Sequence, residues 1–150
     1  MDVILFQPDD LDIVKKSPNF RRALLNIELC QLYPNYMKVL NEYNKILKIR
    51  NELLKKDINT IDIAYFTIVT EQLVDRMLII MNYRKQFIDK INCEIGLIYE
   101  KIMKQTGFYV NYDSNFDFLS KEEICLIYKN NFVQECNKKM TLFGIHRDDI

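Results

Sequence analysis

Glycine is scarce in this chain: three in 150 residues, standing alone at Gly96, Gly107 and Gly144. A phosphate-cradling loop needs several glycines close together, because the backbone must turn tightly and present its N–H groups to the anion. The sequence therefore holds no P-loop and no dinucleotide fingerprint. Tryptophan is absent, histidine occurs once, and the four cysteines at 30, 93, 125 and 136 form no CxxC pair. One histidine cannot complete a Cys/His set, so no structural zinc site is expected. The longest apolar runs are four or five residues, far short of a bilayer span. Met1-Asp2-Val3 lacks the basic-then-apolar opening of a secretory signal. A soluble cytosolic protein with idle, reduced thiols is expected. Neither sign of charge is in excess, with 21 Lys+Arg against 21 Asp+Glu. No global field draws in nucleic acid or an anionic membrane, so any such binding must come from a local patch.

What is present is mostly helical pattern. Val3-Ile4-Leu5-Phe6 is a short β-rich run that stops at Gln7-Pro8-Asp9-Asp10 and reads as a strand and turn. Ser17-Pro18 is a helix start, since serine can cap orphan N–H groups and proline fits the first helical position. That helix ends near Tyr33, and Pro34 opens a second one reaching about Lys56. Along it Tyr36, Val39, Tyr43, Ile46, Ile49 and Leu53 recur every three or four residues. Asp57-Ile58-Asn59-Thr60 is a turn. From about Ile61 the same rhythm runs through Phe66, Val69, Leu73, Met77, Ile80 and onward to Gly107 without a proline. Such a helix would be roughly 65 Å long, against a radius of gyration of about 15 Å for a compact chain of this size. Either it breaks midway or the molecule is elongated; a long antiparallel pair with a coiled-coil-like seam is expected. Residues 108–112 then alternate aromatics like a strand, the capping box Ser120…Glu123 opens a helix over 121–138, and 140–143 reads as a final short strand. The fold class is mainly α, with α+β character at the ends: an elongated antiparallel long-helix arm with short terminal strands.

Three groups of polar residues stand out. Arg21-Arg22 could pair a phosphate or a carboxylate from another domain, or form a solvated helix surface. Lys38, Lys45, Lys48 and Lys55 fall within about a 100° stripe of one helix, and residues 38–56 carry six basic against two acidic residues. This stripe is the DNA-binding candidate, suited to tracking a phosphate backbone; a solvated face is its alternative. His146 stands beside Asp148 and Asp149, and histidine has the pKa for general-base work. No nucleophile is identifiable, however, so no catalytic residue and no metal ligand is assigned. Tyrosines and phenylalanines fall mostly on the apolar stripes and read as core, not base-stacking, residues.

Three blocks together carry a resemblance. Val3-Ile4-Leu5-Phe6-Gln7-Pro8-Asp9-Asp10-Leu11, Val14-Lys15-Lys16-Ser17-Pro18 and Arg21-Arg22-Ala23-Leu24-Leu25 resemble the "F-x-P-[DE]-D-L…V-K-G-S-P-x-x-R-R-x-x-L-D" segment of the RecF family of bacterial DNA replication and repair proteins. Tyr43-Asn44-Lys45-Ile46-Leu47-Lys48-Ile49-Arg50-Asn51 is similar to that family's "Y-x-K-[IL]-L-x-x-R-N". Thr141-Leu142-Phe143-Gly144-Ile145-His146-Arg147-Asp148-Asp149-Ile150 resembles its "T-x-x-G-P-H-R-D-D-[LI]". Departures are Lys16 for glycine, Asn26 for aspartate and Ile145 for proline.

A RecF is more than twice as long, and the resemblance implies that its Walker A loop would precede Met1 and its signature motif and Walker B strand follow Ile150. The chain then corresponds to the arm inserted in an ABC/SMC-type ATPase head: 1–16 leaving the head, 17–107 the helical arm, 108–150 returning to the head. By the same resemblance, ATP and Mg belong to the full-length family, a weak DNA-stimulated ATPase, and no cofactor or ATP hydrolysis belongs to this chain alone. It further implies an ATP-dependent homodimer in the bacterial cytoplasm, away from membranes. This dimer would bind double-stranded DNA and single-strand/double-strand junctions and help RecR and RecO load RecA. Pro8, Asp10, Ser17, Pro18, Arg21 and Arg22, with Gly144, His146, Arg147, Asp148 and Asp149, are then coupling elements where arm meets head. A freestanding helical adaptor that never touches DNA is the alternative from a different class.

Overall fold

Tyr33 precedes a proline, whose ring excludes the α region for the residue before it. Tyr33 is accordingly extended (φ −131°, ψ 97°) and separates α1 (Pro18–Leu32) from α2 (Pro34–Leu54), each with proline in its first turn. The structure is a computed structural model that describes residues 17–104 and 109–149. The expected strand at 3–6, and Pro8 and Asp10 in the turn after it, lie outside the described residues. At the start of α1 the Ser17 hydroxyl makes no capping bond. Instead its carbonyl accepts from the Phe20 and Arg21 N–H groups at 2.9 and 3.2 Å, so backbone and Pro18 set this terminus where a serine side-chain cap was expected.

A 3-10 turn at Ile58–Thr60, held by the Asp57 carboxylate accepting from the Asn59 N–H at 2.9 Å, reverses the chain. Asp62 then accepts from the Tyr65 N–H at 3.1 Å, opening α3 (Ile63–Met103), a single helix of 41 residues and about 60 Å in length. It runs unbroken through Gly96, because an interior glycine costs only about 1 kcal/mol. The two long helices are antiparallel: Asn35 meets Tyr83 at 3.3 Å, Glu42 meets Arg76 at 2.6 Å and Arg50 meets Thr70 at 3.0 Å. Numbers rise along α2 as they fall along α3, as the expected helix pair requires. Between them lie Tyr36, Val39 and Tyr43 of α2 and Leu73, Met77 and Ile80 of α3, with Leu25 and Leu29 of α1 packed on the same core. A second cluster, Leu53, Leu54, Ile61, Phe66 and Val69, closes the turn end of the hairpin. Each such side chain removed from water contributes roughly 1.5–3 kcal/mol.

The capping box forms as expected. The Ser120 Oγ accepts from the Glu123 N–H at 3.2 Å while the Ser120 N–H donates to the Glu123 carboxylate at 2.7 Å. The single helix expected over 121–138 is instead two, α4 (Lys121–Asn130) and α5 (Phe132–Lys138), divided at Asn131 (φ −101°, ψ 6°). The Asn131 amide donates to the Ile127 carbonyl at 2.8 Å, the competition for backbone acceptors that makes asparagine a poor interior residue.

Of the expected strands, the described residues 109–112 and 140–143 form none, and Phe108 lies outside the described residues. Among the described residues the β pairing is an isolated antiparallel bridge between Asp113 and Asp149. Side chains do what neighbouring strands would have done for the buried backbone. Asn92 of α3 accepts from the Val110 N–H and donates to the Val110 carbonyl, both at 2.8 Å. Asn51 accepts the Thr141 N–H at 2.8 Å and Glu135 the Leu142 N–H at 2.9 Å. The fold is mainly α, and its C-terminal segment is irregular chain pinned by helix side chains.

Gly144 sits in that segment with φ +122°, and a Cβ there would come within 2.7 Å of the Tyr43 Oη. Gly144→Ala is expected to lower stability by about 2 kcal/mol, read in urea unfolding as a lower midpoint at unchanged m-value.

Candidate functional site

Two arginines enter the core on stripe positions where the apolar rhythm calls for a hydrophobic residue. Arg50 of α2 is completely buried. Its Nε donates to Thr70 Oγ1 at 3.0 Å, one terminal nitrogen to Thr141 Oγ1 at 2.8 Å, and the other to Glu135 Oε2 at 2.6 Å. The guanidinium lies between the rings of Phe66 and Tyr128, 4.7 and 4.6 Å from their centroids, an additional attraction for a desolvated cation. The Thr141 hydroxyl in turn donates to the Asn51 amide oxygen at 2.8 Å, so each nitrogen of the guanidinium and each oxygen that receives it is engaged.

Arg84 of α3 forms the second centre. It donates to the Ile145 carbonyl at 3.0 Å, to the Asn26 amide oxygen at 3.1 Å and to the Asp148 carboxylate at 3.4 Å. The same carboxylate accepts from the Tyr112 hydroxyl. Burial pushes the Asp148 carboxyl up, against the pull of Tyr112 and Arg84 toward its anion. One residue on, Asp149 receives Arg21 of α1 in a two-pronged pair, Nε to Oδ1 at 2.9 Å and Nη2 to Oδ2 at 2.7 Å. Arg22 donates to the Asp148 carbonyl and to the Asn19 side chain. The carboxylate partner considered for Arg21 is thus supplied by this chain.

His146 contacts neither Asp148 nor Asp149 in its hydrogen bonds, so the carboxylate-oriented base does not assemble. Its Nε2 lies 3.3 Å from the Thr141 carbonyl, which can only accept, so Nε2 carries the proton and Nδ1 accepts from the Tyr43 hydroxyl at 2.9 Å. Burial pulls the imidazole down from 6.5 to about 4, with Arg147, Arg22 and Arg50 opposing its charge. Arg147 is exposed, with a terminal nitrogen 3.5 Å from the Met140 sulfur.

Lys38, Lys45, Lys48 and Lys55 are all exposed, on the face of α2 turned away from Tyr36, Val39 and Tyr43. Lys55 is paired with Glu52 at 2.7 Å. Arg50 leaves the basic patch altogether for the core. Among the described residues no group of three His, Cys, Asp or Glu side chains is placed to hold a metal ion, and no helix is long and apolar enough to cross a membrane.

Over 147 residues the chain is 37% identical to the DNA replication and repair protein RecF of Acholeplasma laidlawii, spanning 98% of the chain and 41% of that protein. It is 35% identical over 155 residues to the DNA replication and repair protein RecF of Streptococcus agalactiae, spanning 100% of the chain and 42% of that protein. This chain belongs to the RecF family. It spans about two-fifths of the length of these relatives. A solved structure of the recombination mediator protein RecF with ATP matches it with a TM-score of 0.86 at 24% identity, over 96% of this chain and 40% of that one. That match establishes the shared fold. No protein-family model matches the chain.

The RecF-like blocks within the described residues meet in space. Arg21 and Arg22 of the first, Tyr43, Arg50 and Asn51 of the second, and Thr141, Gly144, His146, Asp148 and Asp149 of the third form one connected set of contacts, up to 128 positions apart in sequence. Arg84, Tyr112 and Glu135 complete it from outside the motifs. Charge on an apolar stripe was the available signal for Arg50 and Arg84; Tyr112 and Glu135 carried none.

Arg50→Met strands Glu135 in the core and is expected to cost about 3–5 kcal/mol in chemical denaturation. Adding Glu135→Gln is expected to regain about 2 kcal/mol, because the stranded group is then neutral. For His146 the folded value of about 4 lies below the ordinary 6.5, so the unfolded chain binds the extra proton and stability falls as pH drops through that window. Between pH 7 and 4.5 the loss is expected to be roughly 2 kcal/mol. His146→Gln, neutral throughout, should lack this slope while keeping the opposite contribution of Asp148.

Proposed function

We propose that this chain is the arm of a RecF-type recombination mediator and forms one wall of an ATP-dependent clamp on DNA. The observation that carries this reading is the split of α2 into two faces. One is locked into the core through Tyr43 and Arg50, and the other presents Lys38, Lys45 and Lys48 to solvent, with no ion pair for them among the described residues. Apart from the pull of Lys48 on Glu52, their charge is placed to replace the condensed counterions of a duplex, giving contacts to phosphate that position without reading sequence. Nucleotide chemistry, with ATP and Mg, would reside in the rest of the parent protein, as would dimer formation. In that setting the parent would act in the bacterial cytoplasm with RecR and RecO to load RecA at single-strand gaps and at single-strand/double-strand junctions.

The motif residues fit a coupling role. The Arg21–Asp149 pair sets the first turns of α1 beside the C-terminal segment, the juxtaposition that the base of an inserted arm would need. Pro18, Arg21, Arg22, Gly144, His146, Arg147, Asp148 and Asp149 would pass a change in the head to the hairpin, since ATP would stabilise one of two arm arrangements.

Replacing Lys38, Lys45 and Lys48 together by glutamine is expected to weaken duplex binding and to flatten the dependence of log K on log salt by about 2.7, three phosphate contacts' worth. Anisotropy titrations of a labelled duplex across a salt series measure it. An unchanged slope would return the lysines to a solvated face and leave the arm to protein contacts.

A further inference from the structure

Beside the buried network, α1, α2, α3 and the C-terminal segment line an open cavity of about 220 Å³ whose walls include Asn19, Arg22, Asn26, Tyr43, Asn44 and His146. That is room for a phosphate-sized group and several waters, each of which takes about 30 Å³ in the liquid. No carboxylate lines it. Of the acids nearest in sequence to its lining, Asp149 is paired with Arg21, while Asp148 meets Arg84 and Tyr112 through Oδ2 alone and its buried Oδ1 has no hydrogen-bond partner among the described residues. Arg22 lends its terminal nitrogens to two uncharged oxygens, the Asp148 carbonyl and the Asn19 side chain, and the Asp149 and Asp148 carboxylates act on its charge through space.

The amides are held in one sense. Asn19 accepts from Arg22, and Asn26 accepts from Arg84 at 3.1 Å and from the Tyr36 hydroxyl at 2.6 Å. An arginine can only donate, so both amide oxygens face the arginines and both amino groups are left as donors. Tyr43 is spent as a donor on His146, and the one proton of that imidazole on Thr141. The cavity is therefore lined by a cation and by two amides, Asn19 and Asn26, whose oxygens are engaged and whose N–H groups remain as donors, a composition that suits an oxyanion. Asn26 stands where the RecF pattern has aspartate, so a negative charge the pattern would put in this wall is missing. Asn44 lies one helical turn before Lys48, so the cavity adjoins the lysine stripe.

We propose that this cavity is a binding site for a phosphate group, held by Arg22 and by the side-chain amides of Asn19, Asn26 and Asn44. The site does not depend on the clamp reading, because a free phosphate and a phosphodiester of a nucleic-acid backbone present the same oxygens.

The test titrates the isotope-labelled chain with inorganic phosphate at constant ionic strength, using chloride as the control. Saturable shifts of the Asn19, Asn26 and Asn44 side-chain amides and of the Arg22 Nε are expected. Asn44→Asp, at an exposed position, and Asn26→Asp, which keeps an acceptor for Arg84 and Tyr36, are each expected to weaken phosphate at least about tenfold with folding intact. Failure of the unsubstituted chain to saturate, or equal affinity in both variants, overturns the proposal. Duplex DNA then separates the sources. If Asn44→Asp weakens it more than Asn41→Asp, an equal charge change on the stripe, the occupant is a backbone phosphate. Equal effects, with inorganic phosphate still bound, assign the site to a free phosphate. Neither result depends on the lysine triple variant, so the pocket and the clamp can fail separately.

Discussion

The pairing of Arg50 with Glu135 is the constraint on which the rest of the architecture depends. Both side chains are fully removed from solvent, 2.6 Å apart. Taking two ions out of water costs several kcal/mol each, offset only when geometry is good and the remaining hydrogen-bonding positions are filled. Here they are filled by Thr70 on α3 and by Thr141 and the Leu142 N–H on the C-terminal segment, while the rings of Phe66 on α3 and Tyr128 on α4 flank the guanidinium. None of these groups can shift by much without stranding a charge. The interaction thus fixes where α5 and the returning chain lie against the hairpin more tightly than apolar contact alone would, since apolar burial is nearly indifferent to direction.

Arg84 repeats the arrangement farther along α3, and the two centres divide the work. The Arg50 centre anchors the segment at 141–142; the Arg84 centre anchors it at 145 and 148, and the Arg21–Asp149 pair and the Asp113 bridge then tie Asp149 to α1 and to Asp113. A long helix hairpin has little of its own to stop one helix sliding along the other by a turn. Polar side chains that must find particular partners specify the register, the role best attested for buried polar groups. Under the clamp role proposed above, a hairpin base held this way would carry a displacement to the lysine-bearing face as motion of a body.

Much of this was legible beforehand, and for definite reasons. Pro18, Pro34 and the Ser120–Glu123 capping box act within a few residues of themselves, and the helices began where those residues put them. The three-four spacing of Tyr36, Val39 and Tyr43 and of Leu73, Met77 and Ile80 anticipated which faces would be buried. The misreadings share a cause. Residues 108–112 and 140–143 have strand composition, and composition could not reveal that Asn92, Asn51 and Glu135 would supply the hydrogen bonds of an absent partner strand. Arg50 reads as part of a basic surface because its neighbours in sequence include lysines, while its neighbours in space are Phe66 and Tyr128. His146 was weighed against the carboxylates beside it in sequence and is held instead by Tyr43, 103 positions away.

The order of residues alone therefore determined the helix starts, the antiparallel long pair, the absence of any phosphate loop, and the RecF motifs. Each is a matter of local sterics, local capping, periodicity or wording, all readable within a short window. Only the tertiary structure decided which charges enter the core, which carboxylate answers which arginine, and that the motif residues share one site. Those outcomes rest on contacts between residues 20 to 128 positions apart, and the free energy of a buried charge depends on what surrounds it in three dimensions, which no stretch of neighbouring residues encodes.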